Sequence, residues 1–184
     1  MFDHFGLMAP IYDRAIPFSR LEQMVRKVAL PVDGILLDAG GGTGRVTNAL
    51  TPYVRSAIVA DFSRGMLGQA RKKGLSGVET ITENLPFADG IFERIIMVDA
   101  LHHVYDQAAT VSELWRILKP GGCLVIEEPD SRTWQVKVLA LVEKIALMRS
   151  HFLSPVEIKD LFPPVANVEI ETEGYNAWMI VWKV

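Results

Sequence analysis

The sequence predicts a doubly wound α/β fold on a mostly parallel sheet, and three observations point to it. First, an apolar run at residues 35–37 ends in Asp38 and meets four glycines within residues 40–44, before a stretch at 45–50 free of Pro and Gly. Strand, glycine turn and helix make a nucleotide-binding crossover. Glycine accepts positive φ and lets the backbone approach a ligand, while the helix start offers unpaired N–H groups. Second, short apolar runs alternate with helical segments as far as Glu127, the order of a parallel sheet with right-handed crossovers. Third, residues 168–172 alternate apolar with polar and residues 177–184 are rich in Trp, Met, Ile and Val. Gly174 and Asn176 lie between these two runs, which predicts an antiparallel hairpin.

The elements follow in order. Residues 1–18 mix aromatics with Gly6, Pro10 and Pro17 and read as an irregular arm, with room for a short helix. Ser19 and Glu22 have the spacing of a capping box, and Leu21, Met24, Val25 and Val28 recur at helical spacing until Pro31. Residues 57–61 form the second strand, ending in Asp61. Ser63 then caps a helix through Met66, Leu67 and Ala70 to about Lys73. Residues 78–82 form a third strand, 83–90 a loop, and 92–98 a fourth strand running into Asp99. Asp106 precedes a helix with Val111, Leu114, Trp115 and Leu118 on its apolar face. Lys119-Pro120-Gly121-Gly122 stops that helix and turns into a fifth strand at 123–127. Ser131 caps a long helix to about Arg149, and Ser154-Pro155-x-Glu157 is a second capping box with proline at its favoured first position.

A chain of 184 residues suits one domain with a sizeable core. Its parts are an arm and helix (1–30), a ligand-binding core (35–128) and a final segment of helices and hairpin (129–184). The net charge of -3 and the absence of long basic runs argue against nucleic acid, which calls for surplus Lys and Arg. The one cysteine, Cys123, lies in an apolar strand, so it reads as a buried thiol and disulfide frameworks are excluded. His4 and His151 have no partners at ligand spacing, and no metal is expected. The first residues lack a basic-then-apolar leader. Residues 134–148 are interrupted by Lys137, Glu143 and Lys144 and are too short to span a bilayer, so a soluble cytoplasmic protein is expected.

The glycine turn does not match a dinucleotide fingerprint: counted from Gly40 the third glycine position is Arg45, and counted from Gly42 it is Thr47. No Gly-Lys-Ser/Thr triplet follows, which removes the P-loop. What remains is Asp-x-Gly-x-Gly-x-Gly at Asp38, Gly40, Gly42 and Gly44. This resembles the first motif of the class I S-adenosylmethionine-dependent methyltransferases. Asp61-Phe62-Ser63-x-x-Met66, Asn84-Leu85-Pro86-Phe87-Ala88-Asp89, Ala100-Leu101-His102-His103 and Leu118-Lys119-Pro120-Gly121-Gly122 look like its later motifs, so the resemblance covers 35 to about 128. More loosely, Phe2-Asp3 and Tyr12-Asp13 are similar to the opening of the ubiquinone and menaquinone C-methyltransferases.

The resemblance implies a Rossmann-like seven-stranded sheet of order 3-2-1-4-5-7-6, with S-adenosylmethionine as cofactor and S-adenosylhomocysteine as product. Ala39, Gly40, Gly42 and Gly44 would wrap the methionine and ribose, with Asp38 at the amino-acid end and Asp61 on the ribose hydroxyls. Met66 would flank the adenine; Phe62 and Asn84 join the set from their motifs. The Thr82 N–H would serve the adenine, and Glu83 would reach round to it. Relatives usually carry an acid at the position of Ile81, which cannot accept that hydrogen bond. Asp99 would face the methionine end. Tyr12 would either close over the sulfonium or simply pack the arm. His103 is the candidate general base; in the competing reading one of His102 and His103 packs under the sheet and the other walls the cofactor. The apolar 134–148 segment favours a small hydrophobic or aromatic acceptor, with one face for core packing and the rest for a substrate pocket or a homodimer contact. Two rival readings stand beside methyl transfer. One is a nicotinamide-dependent reductase, disfavoured by the missing third glycine; the other is a catalytically weak binding module acting as a partner subunit.

Overall fold

A computed structural model of the chain describes residues 4–145 and 150–184. Helices α1 (His4–Ala15) and α2 (Leu21–Lys27) lead into strand β1 (Val32–Ala39), and the glycine turn delivers α3 (Arg45–Leu50). Then come β2 (Val54–Asp61), α4 (Arg64–Lys72), β3 (Ser76–Glu79), β4 (Phe92–Val98), α5 (Gln107–Ile117) and β5 (Leu118–Pro129). Helices α6 (Trp134–Ile145) and α7 (Pro155–Asp160) precede the hairpin β6 (Asn167–Glu173) and β7 (Asn176–Trp182). The seven strands form one sheet in the order β3-β2-β1-β4-β5-β7-β6. Strands β1 to β5 run parallel, and β7 runs antiparallel to both β5 and β6. Fold class, strand order and terminal hairpin are those expected.

Alternate residues of each central strand feed two cores, one on each face. Leu37, Ile95, Met97, Leu124 and Ile126 pack with Val111 and Leu114 of α5. Leu36, Ile96, Val98, Cys123, Val125 and Trp178 pack with Met24 and Val28 around α2 and with Val46 and Leu50 of α3. A strand with both faces covered reads as a continuous apolar run, which is why β4 and β5 were so visible in sequence.

Several boundaries differ from expectation for physical reasons. The arm is a twelve-residue helix, α1, with Pro10 inside it. It packs on α4 so closely that a Cβ at Gly65 would lie 2.7 Å from the Cα of Gly6, a tertiary contact that outweighs the local breakers. The Ser19 capping box does not form: α2 begins at Leu21, and its N-cap is Arg20, whose side chain pairs with Glu127 instead. Strand β3 spans 76–79 rather than 78–82, because its partner β2 ends at Asp61, opposite Glu79. The Lys-Pro-Gly-Gly turn is an irregular stretch within β5, where Gly121 N–H donates to the Lys183 carbonyl (2.7 Å) and Lys183 N–H to that of Gly122 (3.1 Å). Helix α6 begins at Trp134, after a turn in which Arg132 grips the Asp130 carboxylate, and the expected end at 146–149 lies outside the described residues. Ser63, Asp106 and Ser154 cap their helices as expected. Among the described residues no helix is long and apolar enough to cross a membrane.

Candidate cofactor cleft

A cleft of about 730 Å³ opens at the carboxyl ends of β1, β2 and β4. In open α/β sheets this is where ligands bind. Strand β1 carries Asp38 into its floor. One carboxylate oxygen takes the Thr47 hydroxyl; the other, Oδ1, is buried and has no partner in the described structure. Burial pushes the Asp38 carboxyl up to about 6, with the Thr47 hydrogen bond and Arg45 pulling the other way. A Cβ at Gly41 would sit 2.4 Å from the Asp38 Cγ, so the carboxylate occupies space that only glycine leaves.

Gly42 has φ +55°, lines the cleft, and donates its N–H to Asp61 Oδ2 at 2.8 Å. The other Asp61 oxygen takes the Ser63 N–H, also at 2.8 Å, so both oxygens are tied to backbone. Past Asp61, Phe62 and Met66 continue the wall, and Thr80, Ile81, Thr82 and Glu83 form the opposite lip. Thr82 is buried, with its hydroxyl 3.1 Å from that of Thr110. Asp99 has φ +52°, donates its N–H to the Glu127 carbonyl at 2.9 Å and sets Oδ2 3.2 Å from Arg45 Nη2. Burial first, then the Glu128 charge, raises its pKa, while Arg45 lowers it. Tyr12 lines the same space, its phenol raised by burial. Helix α1 is tied there by Asp13, which pairs with the Thr43 hydroxyl and with Lys73.

The two histidines occupy different surroundings. His102 is buried, with Nδ1 2.5 Å from Glu128 Oε2 and its ring stacked on Phe152 at 4.4 Å. The other Glu128 oxygen accepts the N–H groups of Ala100 (2.9 Å) and Leu101 (2.7 Å), which pins the turn after β4. His103 lines the cleft, its ring 3.9 Å from that of His102 and its Nδ1 3.4 Å from the Ser150 hydroxyl.

Of the expected residues, Tyr12, Asp38, Gly40, Gly42, Asp61, Phe62, Met66, Thr82, Glu83, Asp99 and His103 come together around the cleft. Three do not line it. Ala39 is buried at the end of β1. Asn84 is exposed beyond the lip. Gly44 is the left-handed N-cap of α3, and a Cβ there would come within 2.4 Å of Leu75, so its place is in helix packing. Glu83 lines the cleft with its Oε1 accepting the N–H groups of Tyr105 (2.7 Å) and Asp106 (3.2 Å) before α5. Sequence reasoning missed Gly41, an unnamed position in the glycine motif. It also missed Arg45, read only as a mismatch to the dinucleotide fingerprint.

A doubly wound sheet with a carboxylate-rich cleft beside a glycine turn defines a class of nucleoside-cofactor enzymes. Comparison narrows it. The family described as "Methyltransferase domain" matches residues 37–126. A demethylmenaquinone methyltransferase of Mycolicibacterium vanbaalenii is 36% identical over 115 residues, covering 62% of this chain and 50% of that protein. One of Corynebacterium urealyticum is 31% identical over 154 residues, covering 82% of this chain and 66% of the other. The chain thus spans about half to two thirds of the length of these curated relatives. A solved S-adenosylmethionine-dependent methyltransferase of Thermotoga maritima superposes with a TM-score of 0.80 at 24% identity, covering 98% of each chain, a likeness of fold. Residues 37–126 thus form a methyltransferase domain, and these likenesses support a class I S-adenosylmethionine-dependent methyltransferase family for the chain.

Proposed function

We propose that this chain transfers a methyl group from S-adenosylmethionine to a small hydrophobic or aromatic acceptor. The observation that carries the reading is Asp38. A buried carboxylate oxygen without a partner is costly unless a cation meets it, and the ammonium of the cofactor's methionine end is such a cation. The rest of the cleft has the matching sign: Asp38, Asp61, Glu83, Asp99 and Asp106 line it, against Arg45. When bound, the cofactor supplies a methyl group already activated on a sulfonium.

The chain's own residues supply binding and orientation. Asp61, held by two backbone N–H groups, is placed for ribose hydroxyls, and Phe62 and Met66 for the faces of an adenine. Tyr12, carried by α1, covers the methionine side and excludes water there. Orientation with water exclusion is worth on the order of 7–11 kcal/mol of barrier in well-arranged systems, so a strong base is dispensable. His103 is the residue we assign to the acceptor's proton, its ring braced by His102 and Ser150. The apolar side chains of Val98, Val104 and Ala109 in the cleft, and relatives named for demethylmenaquinone, support a ring-bearing acceptor.

Calorimetric titration with S-adenosylmethionine and S-adenosylhomocysteine tests the reading. Micromolar binding of both is expected, weakened at least tenfold in Asp38→Asn. An absence of heat at millimolar ligand would refute it.

A further inference from the structure

A second, smaller cavity of about 160 Å³ lies on the α2 side of the sheet, lined by Arg20, Trp178 and residues 173–176 of the hairpin. Next to it stands Glu127, a fully buried carboxyl on β5. Its Oε1 accepts from Asn176 Nδ2 at 3.1 Å and pairs with Arg20. Two buried polar atoms here have no hydrogen-bond partner in the described structure: Glu127 Oε2 and the indole Nε1 of Trp178. A buried polar group left unpaired is costly, and two on register partners of neighbouring strands ask for an explanation.

The sheet register relates this place to the cofactor cleft. Val98, which lines the cleft, is opposite Glu127 on β5, and Glu127 is opposite Trp178 on β7. The three therefore stand in one row on one face of the sheet. Two strand spacings, roughly 10 Å, separate the cleft wall from the cavity floor, the reach of a fused two-ring molecule. Arg20 lies 5.6 Å over the Trp178 ring and pairs with Glu127; its side chain, 34% exposed, is the accessible roof of the row.

We infer that this cavity is the outer subsite for the methyl acceptor and that it selects a hydroxyl group, with Glu127 and the Trp178 indole N–H as its partners. The inference rests on the methyl-transfer reading above. The chemistry of the pair chooses the ligand. The indole can only donate, and the carboxylate opposite it accepts. One group that both donates and accepts satisfies both atoms, and a phenolic or quinol hydroxyl does so. A carboxylate has nothing to donate, an ammonium nothing to accept with, and a methyl ether cannot donate. Protonation would turn Glu127 into a second donor and remove the selection against the ether; burial pushes this carboxyl up to about 8, with Arg20 pulling the other way, so the selection applies above that pH.

The test uses the whole chain at pH 9, where Glu127 is ionised, saturated with S-adenosylhomocysteine and labelled with ¹⁵N at tryptophan, with 2-naphthol and 2-methoxynaphthalene as probes. The Trp178 indole N–H resonance is assigned by its loss in Trp178→Phe. If that variant does not fold, elimination with Trp115→Phe, Trp134→Phe and Trp182→Phe assigns it. Addition of 2-naphthol is expected to move this resonance saturably, and the methyl ether to bind at least tenfold more weakly. Where Trp178→Phe folds, it should bind 2-naphthol about three- to tenfold more weakly, the worth of one hydrogen bond, with its affinity for S-adenosylhomocysteine within twofold of native. A resonance that does not move, or that answers both probes alike, overturns the subsite while leaving the methyl-transfer reading intact. Failure of S-adenosylhomocysteine itself to bind overturns both.

Discussion

Alanine at Gly44 and alanine at Gly42 impose the same backbone penalty and should damage the protein in different ways. Both glycines are left-handed, at φ +69° and +55°. Forcing alanine into that region costs about 1–2 kcal/mol. At Gly44 the new methyl also meets Leu75 Cδ1 at 2.4 Å, with Val59 and Ala70 within 3.4 Å, a closed site between α3 and α4. Overpacking of that kind adds about 1–3 kcal/mol, for a total of roughly 2–5 kcal/mol. In a domain of this size each kcal/mol moves the midpoint by about 2–4 °C, so Gly44→Ala should melt roughly 4–20 °C lower. At Gly42 the nearest atoms are Asp61 Oδ2 and Met66 Sδ at 3.9 Å, both belonging to cleft residues. Gly42→Ala should therefore lose only about 2–8 °C, the conformational part alone. It should bind S-adenosylhomocysteine at least tenfold more weakly, because the methyl group enters the cleft. Scanning calorimetry with and without ligand reads both effects. A Gly44→Ala midpoint within 2 °C of native, or unchanged ligand affinity in Gly42→Ala, would refute the separation of roles.

Two further outcomes follow from the cleft. Asp38 titrates near 6 in the folded chain against an ordinary value of 3.8, so the ligand-free protein loses stability as pH rises between those values. Cofactor affinity should run the opposite way, falling about tenfold per pH unit below 6 as Asp38 takes up its proton. The thermal shift caused by S-adenosylmethionine should therefore grow between pH 5 and pH 7, and a shift that does not vary with pH would exclude Asp38 from the ammonium site. Ile81→Asp restores an acceptor on the lip of the cleft, where the side chain is 56% exposed and nothing must be repacked. It should tighten S-adenosylmethionine binding about two- to tenfold by titration, and a loss of affinity would show that the adenine lies elsewhere.

The parts legible in sequence are those decided locally. Ser63, Asp106 and Ser154 announce their helices because an N-cap is a contact between residues three apart. Asp38 and Asp61 stood out because an acid closing an apolar strand has few uses other than a ligand. Helix α1 was hidden because Pro10 and Gly6 are local warnings, whereas its packing on α4 joins residues some sixty positions apart. The direction of a carboxylate was equally hidden. Glu83 turns toward the backbone before α5 and Arg20 toward Glu127, and neither choice is encoded in its neighbours. Arg45 shows the limit of matching motifs: a position scored as a failed glycine is the cation that pairs with Asp99 inside the cleft.

The crossing of α1 over α4 makes one position deceptive. Gly65 does not line the cleft, yet any side chain there would meet backbone atoms of Gly6, its Cα at 2.7 Å and its carbonyl oxygen at 2.9 Å. Backbone cannot rotate out of the way, so the whole of α1 would have to ride upward, taking Tyr12 with it. A substitution at residue 65 would then masquerade as a ligand-binding defect in a genetic screen. Suppressors of it are to be sought in the first helix, among residues that never touch the cofactor.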